Sequence, residues 1–410
     1  MVMDKKAVSK GRREFFKTVA GGLLACAAPL PAAGRGPARA RPLASGDMAY
    51  RRLGRTGLLV SEISLGSSPL PDPSLLRNII DRGVNYIDTS HNYDNGNAER
   101  QIGRLLKDVG RGNVHVGTKF HVRPRDTEET IVASVHGSLR RLASDYVDVL
   151  LIHGAESAAQ LVDERVLGAY DRLKKEGAYR FRGISCHTNH DEVVRKAVSC
   201  GTYDMVQVGY NVFDIQETSG EVKTYGDYLG ASGIGGLLEA ARSAGIGVIA
   251  MKTLKVGGRR QDLGRYRTGG TTLYRAMLKW VLDDPRVSSA LTEILNRRQM
   301  EEDLGAAGSR LSGEESRTLA RYVQENGRDY CHMCGRCQRA CPAGIATTDI
   351  LRFLAYHESY GKTEAARRAY AELPPSANAA ACRSCGSCGK VCPYGVSVPG
   401  RIGLARVLLA

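Results

Sequence analysis

The chain has 410 residues, 42% hydrophobic and 25% charged, a balance that excludes a wholly disordered or fibrous protein. No run of eighteen consecutive apolar residues occurs, so no ordinary membrane span is expected. The net charge of +15 raises nucleic-acid binding, but +7 of it sits in residues 1–45 and the rest is spread along the chain. One Trp and six Phe are too few for a base-stacking surface, so no nucleic-acid partner is expected.

Residues 1–45 read as an address. A basic start is followed by a short apolar stretch and then a segment rich in Pro, Ala and Arg, the layout of a cleavable signal peptide. Arg12-Arg13-Glu14-Phe15-Phe16-Lys17 resembles a twin-arginine (Tat) export signal, with Gly11 in place of the usual Ser or Thr. Small residues at 30–32 and 38–40 offer cleavage points, and Leu23-Leu24-Ala25-Cys26 is a weak lipoprotein box that would put a lipid anchor at Cys26. Export to the periplasm is the expectation, with cytoplasmic residence as the alternative.

From residue 46 to 326, short β-branched runs alternate with amphipathic segments. Eight runs are predicted as strands: 60–65, 84–88, 114–120, 147–153, 181–185, 205–208, 247–251 and 288–294. Helical periodicity lies between them, as at 130–142, where Asp126 and Glu129 form a candidate capping box. Gly83, Gly110, Gly177, Gly201 and Gly245 follow helices as C-terminal stops. Such alternation over about 250 residues predicts an α/β fold, a (β/α)8 TIM barrel. No Gly-x-Gly-x-x-Gly follows the first run, which opposes the doubly wound alternative. Barrel chemistry sits at the C-terminal strand ends, where Asp88, Lys119 and His153 fall, with Tyr93 five residues beyond Asp88. A charged Lys119 beside Tyr93 is expected to lower the phenol pKa, Asp88 to hold Lys119, and His153 to orient a carbonyl oxygen. Each residue alone has a plain structural reading; four at consecutive strand ends point to catalysis.

Tyr50-Arg-Arg-Leu-Gly-Arg-Thr-Gly57, Asn85-Tyr-Ile-Asp-Thr-Ser-His-Asn-Tyr93, Gly117-Thr-Lys119 and Leu151-Ile-His153 resemble, in combination, the motifs of the aldo-keto reductases. The resemblance implies reduction of a small-molecule carbonyl, or oxidation of an alcohol, with Tyr93 as general acid and a nicotinamide as cofactor. Ser185 and Gln207 fall where that family holds the nicotinamide amide. Cys186 replaces its usual Asn, Met251 replaces its stacking Tyr, and Glu293-Ile294-Leu295 stands where a Gly-x-Arg segment receives the adenosine phosphate. A carboxylate repels a phosphate, so NADP(H) binding is expected to be weak unless Arg297 and Arg298 compensate.

Residues 327–410 carry Cys331, Cys334, Cys337 and Cys341-Pro342, then Cys382, Cys385, Cys388 and Cys392-Pro393. Both runs are C-x2-C-x2-C-x3-C-P, the spacing of bacterial two-cluster ferredoxins, in which the fourth Cys of a run ligates the other cluster. Two [4Fe-4S] clusters in a small, mainly helical ferredoxin-like domain follow. Zinc accounts for C-x2-C pairs but not for the third Cys, the x3 step and the Pro in both runs. Amphipathic helices are predicted near 349–360 and 363–373, and another at 312–325 is predicted to pack on the barrel. His332 and His357 are read as solvated side chains and not ligands. The Gly-rich stretch 216–236 carries no readable motif.

The combined expectation is an exported oxidoreductase whose barrel is coupled to electron transfer, with a redox protein as a possible partner. Two alternatives remain: a cytoplasmic NADP(H)-dependent reductase with structural clusters, and a non-catalytic electron-transfer scaffold.

Overall fold

The computed structural model describes residues 48–214, 234–254, 263–267 and 270–410. The export signal expected in residues 1–45, and most of the Gly-rich stretch, lie outside them. The described chain opens with a hairpin, β1 (Tyr50–Arg52) against β2 (Leu59–Ser61), with Tyr50 opposite Ser61. The run expected as a single strand at 60–65 is split. Val60 belongs to the hairpin, and the barrel strand β3 begins at Ile63. The break is at Glu62, a buried carboxylate that accepts from Arg51 Nε at 2.7 Å and from the Gly308 amide at 2.7 Å. A straight strand would leave that charge unpaired.

Eight parallel strands then close into a barrel: β3 (Ile63–Gly66), β4 (Tyr86–Asp88), β5 (His115–Phe120), β6 (Val147–His153), β7 (Tyr179–Cys186), β8 (Met205–Gly209), β9 (Gly247–Met251) and β10 (Ser289–Thr292). Each pairs with its sequence neighbour, and β10 pairs with β3. Seven of the helices on the outside matter here: α1 (Pro73–Asp81), α2 (Asn97–Val109), α3 (Glu128–Leu142), α4 (Glu164–Lys175), α5 (His190–Cys200), α6 (Ile234–Ser243) and α7 (Leu273–Asp283). The N-cap of α3 is Thr127, reciprocally bonded with Thr130, in place of the expected Asp126; the Asp126 carboxylate instead accepts from the Arg123 amide at 2.6 Å. All five expected glycine stops adopt positive φ, from 68° to 99°.

Side-chain alternation divides the strands into two sets. Ile87, Val116, Leu150, Ile152, Ile184 and Val206 face outward into the main core beneath the helices. Tyr86, Val149, Leu151, Met205 and Ile249 face inward and pack on Leu53, Leu58 and Val60 of the hairpin, which plugs the N-terminal end. The turn between the hairpin strands passes so close to β9 that a Cβ on Gly54 would lie 2.2 Å from the Gly247 nitrogen, and Gly54 has φ +49°.

α8 (Gly313–Asn326) follows the barrel, capped by Ser312 reciprocally with Glu315, and Lys279 of α7 donates to Glu315 at 2.9 Å. It fits the terminal helix expected at 312–325. The C-terminal region is mainly helical. It contains α9 (Arg336–Arg339), α10 (Thr347–Glu358), α11 (Thr363–Ala371), α12 (Ser387–Lys390) and α13 (Val398–Leu408) around a core of Ile350, Leu354, Tyr370, Val396, Ile402 and Leu409. Its two halves repeat. Met333 and Gly335 in the first cysteine run, and Ser384 and Gly386 in the second, take positive φ, as do Gly344 and Gly395 after each Cys-Pro. No described helix is long and apolar enough to cross a membrane.

Gly54→Ala forces a backbone clash and a left-handed conformation that alanine disfavours. It is expected to destabilise the protein by about 2–4 kcal/mol, read as a lowered denaturant midpoint, with the α/β circular dichroism signature retained below the transition.

Candidate active site

Inward parity carries the chemistry to one end. On β4, β5, β6, β7 and β8 the inward positions after the apolar layer are Asp88, Lys119, His153, Ser185 and Gln207, with Met251 on β9. All except Lys119 line one cavity of ≈ 800 Å3 with Tyr93, and Lys119 touches two of its wall residues. Lys119 Nζ donates to Asp88 Oδ2 at 2.6 Å and to the Thr89 carbonyl at 2.8 Å, and stands 3.5 Å from the Tyr93 hydroxyl. Both members of the ion pair are buried. Burial favours their neutral forms, raising Asp88 and lowering Lys119, while their mutual attraction opposes this. Removing one partner would leave an uncompensated buried charge, at a cost of about 3–5 kcal/mol.

Tyr93 reaches the pair from the loop after β4. Asp94 and Asn95 behind it hold φ of +48° and +52°, a conformation these residue types tolerate, and turn the chain into α2. The expected lowering of its phenol by Lys119 is not found. Burial and the Asp88 carboxylate push the phenol well above its ordinary value. The ammonium sits closer to Asp88 than to the hydroxyl, so the carboxylate and the loss of water decide the shift. Tyr93 is therefore a protonated donor throughout the neutral range. His153 packs edge-on to Tyr93 at 5.7 Å, and its Nδ1 lies 3.0 Å from Ser90 Oγ. Burial, then the Lys119 charge, holds it well below an ordinary histidine, so it is a neutral imidazole at pH 7.

Ser185 Oγ, Gln207 Oε1, Thr292 Oγ1, Ser67 Oγ and His187 Nδ1 are buried at this end without a hydrogen-bond partner among the described residues. Each such atom costs about 1–3 kcal/mol unless a ligand or water answers it. Ser185 and Gln207 are paired neighbours, so this wall fits an amide such as that of nicotinamide. The opposite wall carries Glu293, a carboxylate that disfavours a phosphate and takes Lys362 Nζ at 2.8 Å. Leu295 is exposed, and Arg297 and Arg298 are exposed and do not line the cavity. The cations that do line it are Lys252, Arg352, Lys362 and Arg368. Cys186 donates to the Thr188 carbonyl at 2.9 Å, and burial pushes its thiol up to about 12.

Several lining residues escaped sequence reasoning. His121 and His187 lie two residues beyond Lys119 and Ser185, and extending the alternation one step would have found them. His121 stacks on His153 at 4.4 Å. Arg352, Tyr356, Tyr360, Lys362 and Arg368 come from the C-terminal region and roof the same cavity. Only the one-turn spacing of Arg352 and Tyr356 on α10 hinted at a shared face.

One grouping crosses the repeat. Cys331, Cys334, Cys337 and Cys392 line one cavity with Thr348, Tyr394 and Val396, so the fourth thiol of the second run lies with the first three of the first. No disulfide joins any two of the described cysteines. Burial and its neighbours Cys331 and Cys334 push the Cys337 thiol up to about 12. Such a crowded donor set is stable as thiolates only around positive charge, and soft thiolates suit iron. His332 is not the solvated side chain expected: it is largely buried, lines the same cavity as Cys331, stacks on Tyr394 at 3.6 Å and meets Asp214 through Nδ1. His357 Nδ1 lies 3.0 Å from Thr363 Oγ1.

The family model for the aldo/keto reductases matches residues 72–323, and that for a 4Fe-4S dicluster domain matches 330–397. The chain belongs to the aldo/keto reductase family. It is an oxidoreductase of that family with an appended iron–sulfur dicluster domain. An uncharacterized oxidoreductase of Bacillus subtilis is 30% identical over 41% of this chain and 58% of its own length. The L-galactose dehydrogenase of Arabidopsis thaliana is 27% identical over 62% of this chain and 87% of its own. Among solved structures, a thermostable aldo-keto reductase in complex with the inhibitor epalrestat superposes with a TM-score of 0.54 at 26% identity, covering 67% of this chain and 99% of that one.

The crossed grouping has a direct test. In the double variant Cys331→Ser/Cys392→Ser both changes fall in one site, so iron content is expected to fall by about half with one paramagnetic centre kept on reduction. If each run held its own cluster, both centres would be damaged.

Proposed function

We propose that this reductase interconverts a small-molecule carbonyl and its alcohol in the cavity under the C-terminal roof, and that the process is coupled to one-electron transfer. The observation that carries the reading is the shared cavity: Tyr93 and His153 form one wall, and Tyr356 and Tyr360 of the iron–sulfur domain form another. Clusters held by the two cysteine groups supply electrons singly. Reducing a carbonyl takes two electrons and two protons. Tyr93 Oη is placed to give one proton to the carbonyl oxygen, and its raised pKa keeps that proton available; the second proton, which goes to the carbonyl carbon, is taken from solvent water entering the cavity. Lys119 and Asp88 fix the hydroxyl's surroundings, and the neutral His153 orients the oxygen. Ser185 and Gln207 hold an amide-bearing ligand at the inner wall. Since Glu293 and Lys362 close the outer wall, no step is assigned to a dinucleotide.

The test is Tyr93→Phe in the cluster-loaded protein, with reduced methyl viologen as electron source and a panel of ketones and aldehydes. Turnover is expected to fall at least ~100-fold, the usual worth of a positioned acid, with the visible cluster absorption unchanged. Retained turnover would overturn the catalytic reading in favour of a scaffold. In the pH profile, the acid form of Tyr93 is populated below its raised pKa and lost above it. Carbonyl reduction is therefore expected to show no Tyr93-dependent fall between pH 7 and about 10, the ordinary tyrosine value.

Export is part of the same proposal. It rests on the Arg12-Arg13 motif and on the Glu293 carboxylate at the outer wall, which disfavours a phosphate. Replacing both arginines by lysine is expected to hold the full-length precursor in the cytoplasm, read by fractionation and immunoblot; unchanged export would remove the twin-arginine assignment.

A further inference from the structure

The two cysteine groups differ in what surrounds them. The first is turned toward the barrel. A Cβ on Gly335, between Cys334 and Cys337, would lie 2.5 Å from Asn189 Oδ1, in the loop that leaves Ser185. His332 meets Asp214, and Asn211 Nδ2 donates to the Tyr330 hydroxyl at 2.7 Å, both barrel residues. Cys337 is buried. The second group is turned to solvent, and its Cys385 is exposed.

The chain around that second group carries an excess of cations. From residue 373 to Ala410 there is no Asp or Glu, while Arg383, Lys390, Arg401 and Arg406 are all present. Arg401 is bonded to Glu358. Arg383, Lys390 and Arg406 are exposed, and Lys390 lies within electrostatic reach of Cys385. The segments bearing these groups are contiguous, because 379–381 and α12 both pack on α13. Apolar surface accompanies the charge: Val391, next to Cys392, is 38% exposed, and Val407 on α13 is 76% exposed. Glu358, bonded to Arg401, and the exposed Glu364 and Glu372 are the acids carried by the neighbouring segments. An excess of cations around an exposed thiol group makes a steering field for a negative surface.

We infer that the Arg383–Lys390–Arg406 face is the docking surface for an acidic one-electron carrier protein, which exchanges electrons with the outer cysteine group, while the inner group faces the barrel. The inference rests on the reading that both groups hold four-iron clusters, but not on the carbonyl chemistry. In each encounter a reduced carrier loses one electron and the outer centre gains one. No bond forms or breaks and no proton moves. Two encounters supply the pair that a carbonyl requires.

The probe is an acidic flavodoxin titrated into the cluster-loaded full chain by calorimetry, with a basic cytochrome c in parallel. Flavodoxin affinity is expected to weaken about tenfold between 20 and 200 mM salt, and about tenfold at low salt in Lys390→Glu or Arg383→Glu. Arg310→Glu, an equal change of charge at a residue 86% exposed on the barrel, is expected to leave it unaltered. Carbodiimide coupling is expected to join Lys390 to flavodoxin carboxylates. Salt-independent binding, tighter binding of cytochrome c, equal loss in Arg310→Glu, or coupling confined to barrel lysines would each overturn the assignment. These readings concern association, so they stand or fall separately from the Tyr93 experiment.

Discussion

Everything at the mouth of this molecule depends on the strict alternation of side chains in a closed parallel sheet. A barrel strand has an inside and an outside, and stepping by one residue exchanges them. Ile87, Val116, Leu150 and Ile184 must face the helices, because burying them there removes their apolar surface from water. That choice leaves Asp88, Lys119, His153 and Ser185 no direction but inward. The inner layer of Val149, Leu151, Met205 and Ile249, plugged from below by the hairpin, fills the lower barrel. The polar residues are thereby lifted to the C-terminal end, where the loops can reach them.

The environment built there is buried and selectively unsatisfied. The Lys119–Asp88 contact compensates two charges that could not be buried singly. Burial also keeps the Tyr93 proton on its oxygen and the His153 ring neutral. The site therefore holds a donor ready to give a proton, rather than a phenolate awaiting one. The orphaned Ser185 and Gln207 atoms mark the wall at which a polar ligand gains most. The C-terminal domain supplies the roof through Arg352, Tyr356 and Tyr360, and Lys362 ties it down by bonding to Glu293 and the Ser68 carbonyl.

The crossing of Cys392 has a structural consequence of its own. Because Cys392 lines one cavity with Cys331, Cys334 and Cys337, that cavity takes its thiols from both halves of the dicluster domain. A cluster bound there would couple the two halves and add stability to a domain with a modest core of its own.

Much of this was legible in the chain itself. Apolar periodicity and the glycine stops are local signals, so the barrel class and seven of its eight strands follow from them. The doubled cysteine spacing is covalent arithmetic and needs no fold to be read. The split at Glu62 was hidden because Val60 through Leu65 is apolar enough to pass as one strand, and only the partners Arg51 and the Gly308 amide, distant in sequence, show why the chain bends. The sense of the Tyr93 shift was hidden for a similar reason. Sequence places a lysine near a phenol, but the balance between charge and lost water is set by distances of 2.6 Å to Asp88 and 3.5 Å to Tyr93. That Arg352 and Tyr356 roof the cavity that holds Tyr93, far upstream in the chain, was decided by packing alone, since local propensity makes a helix but does not say what it will cover.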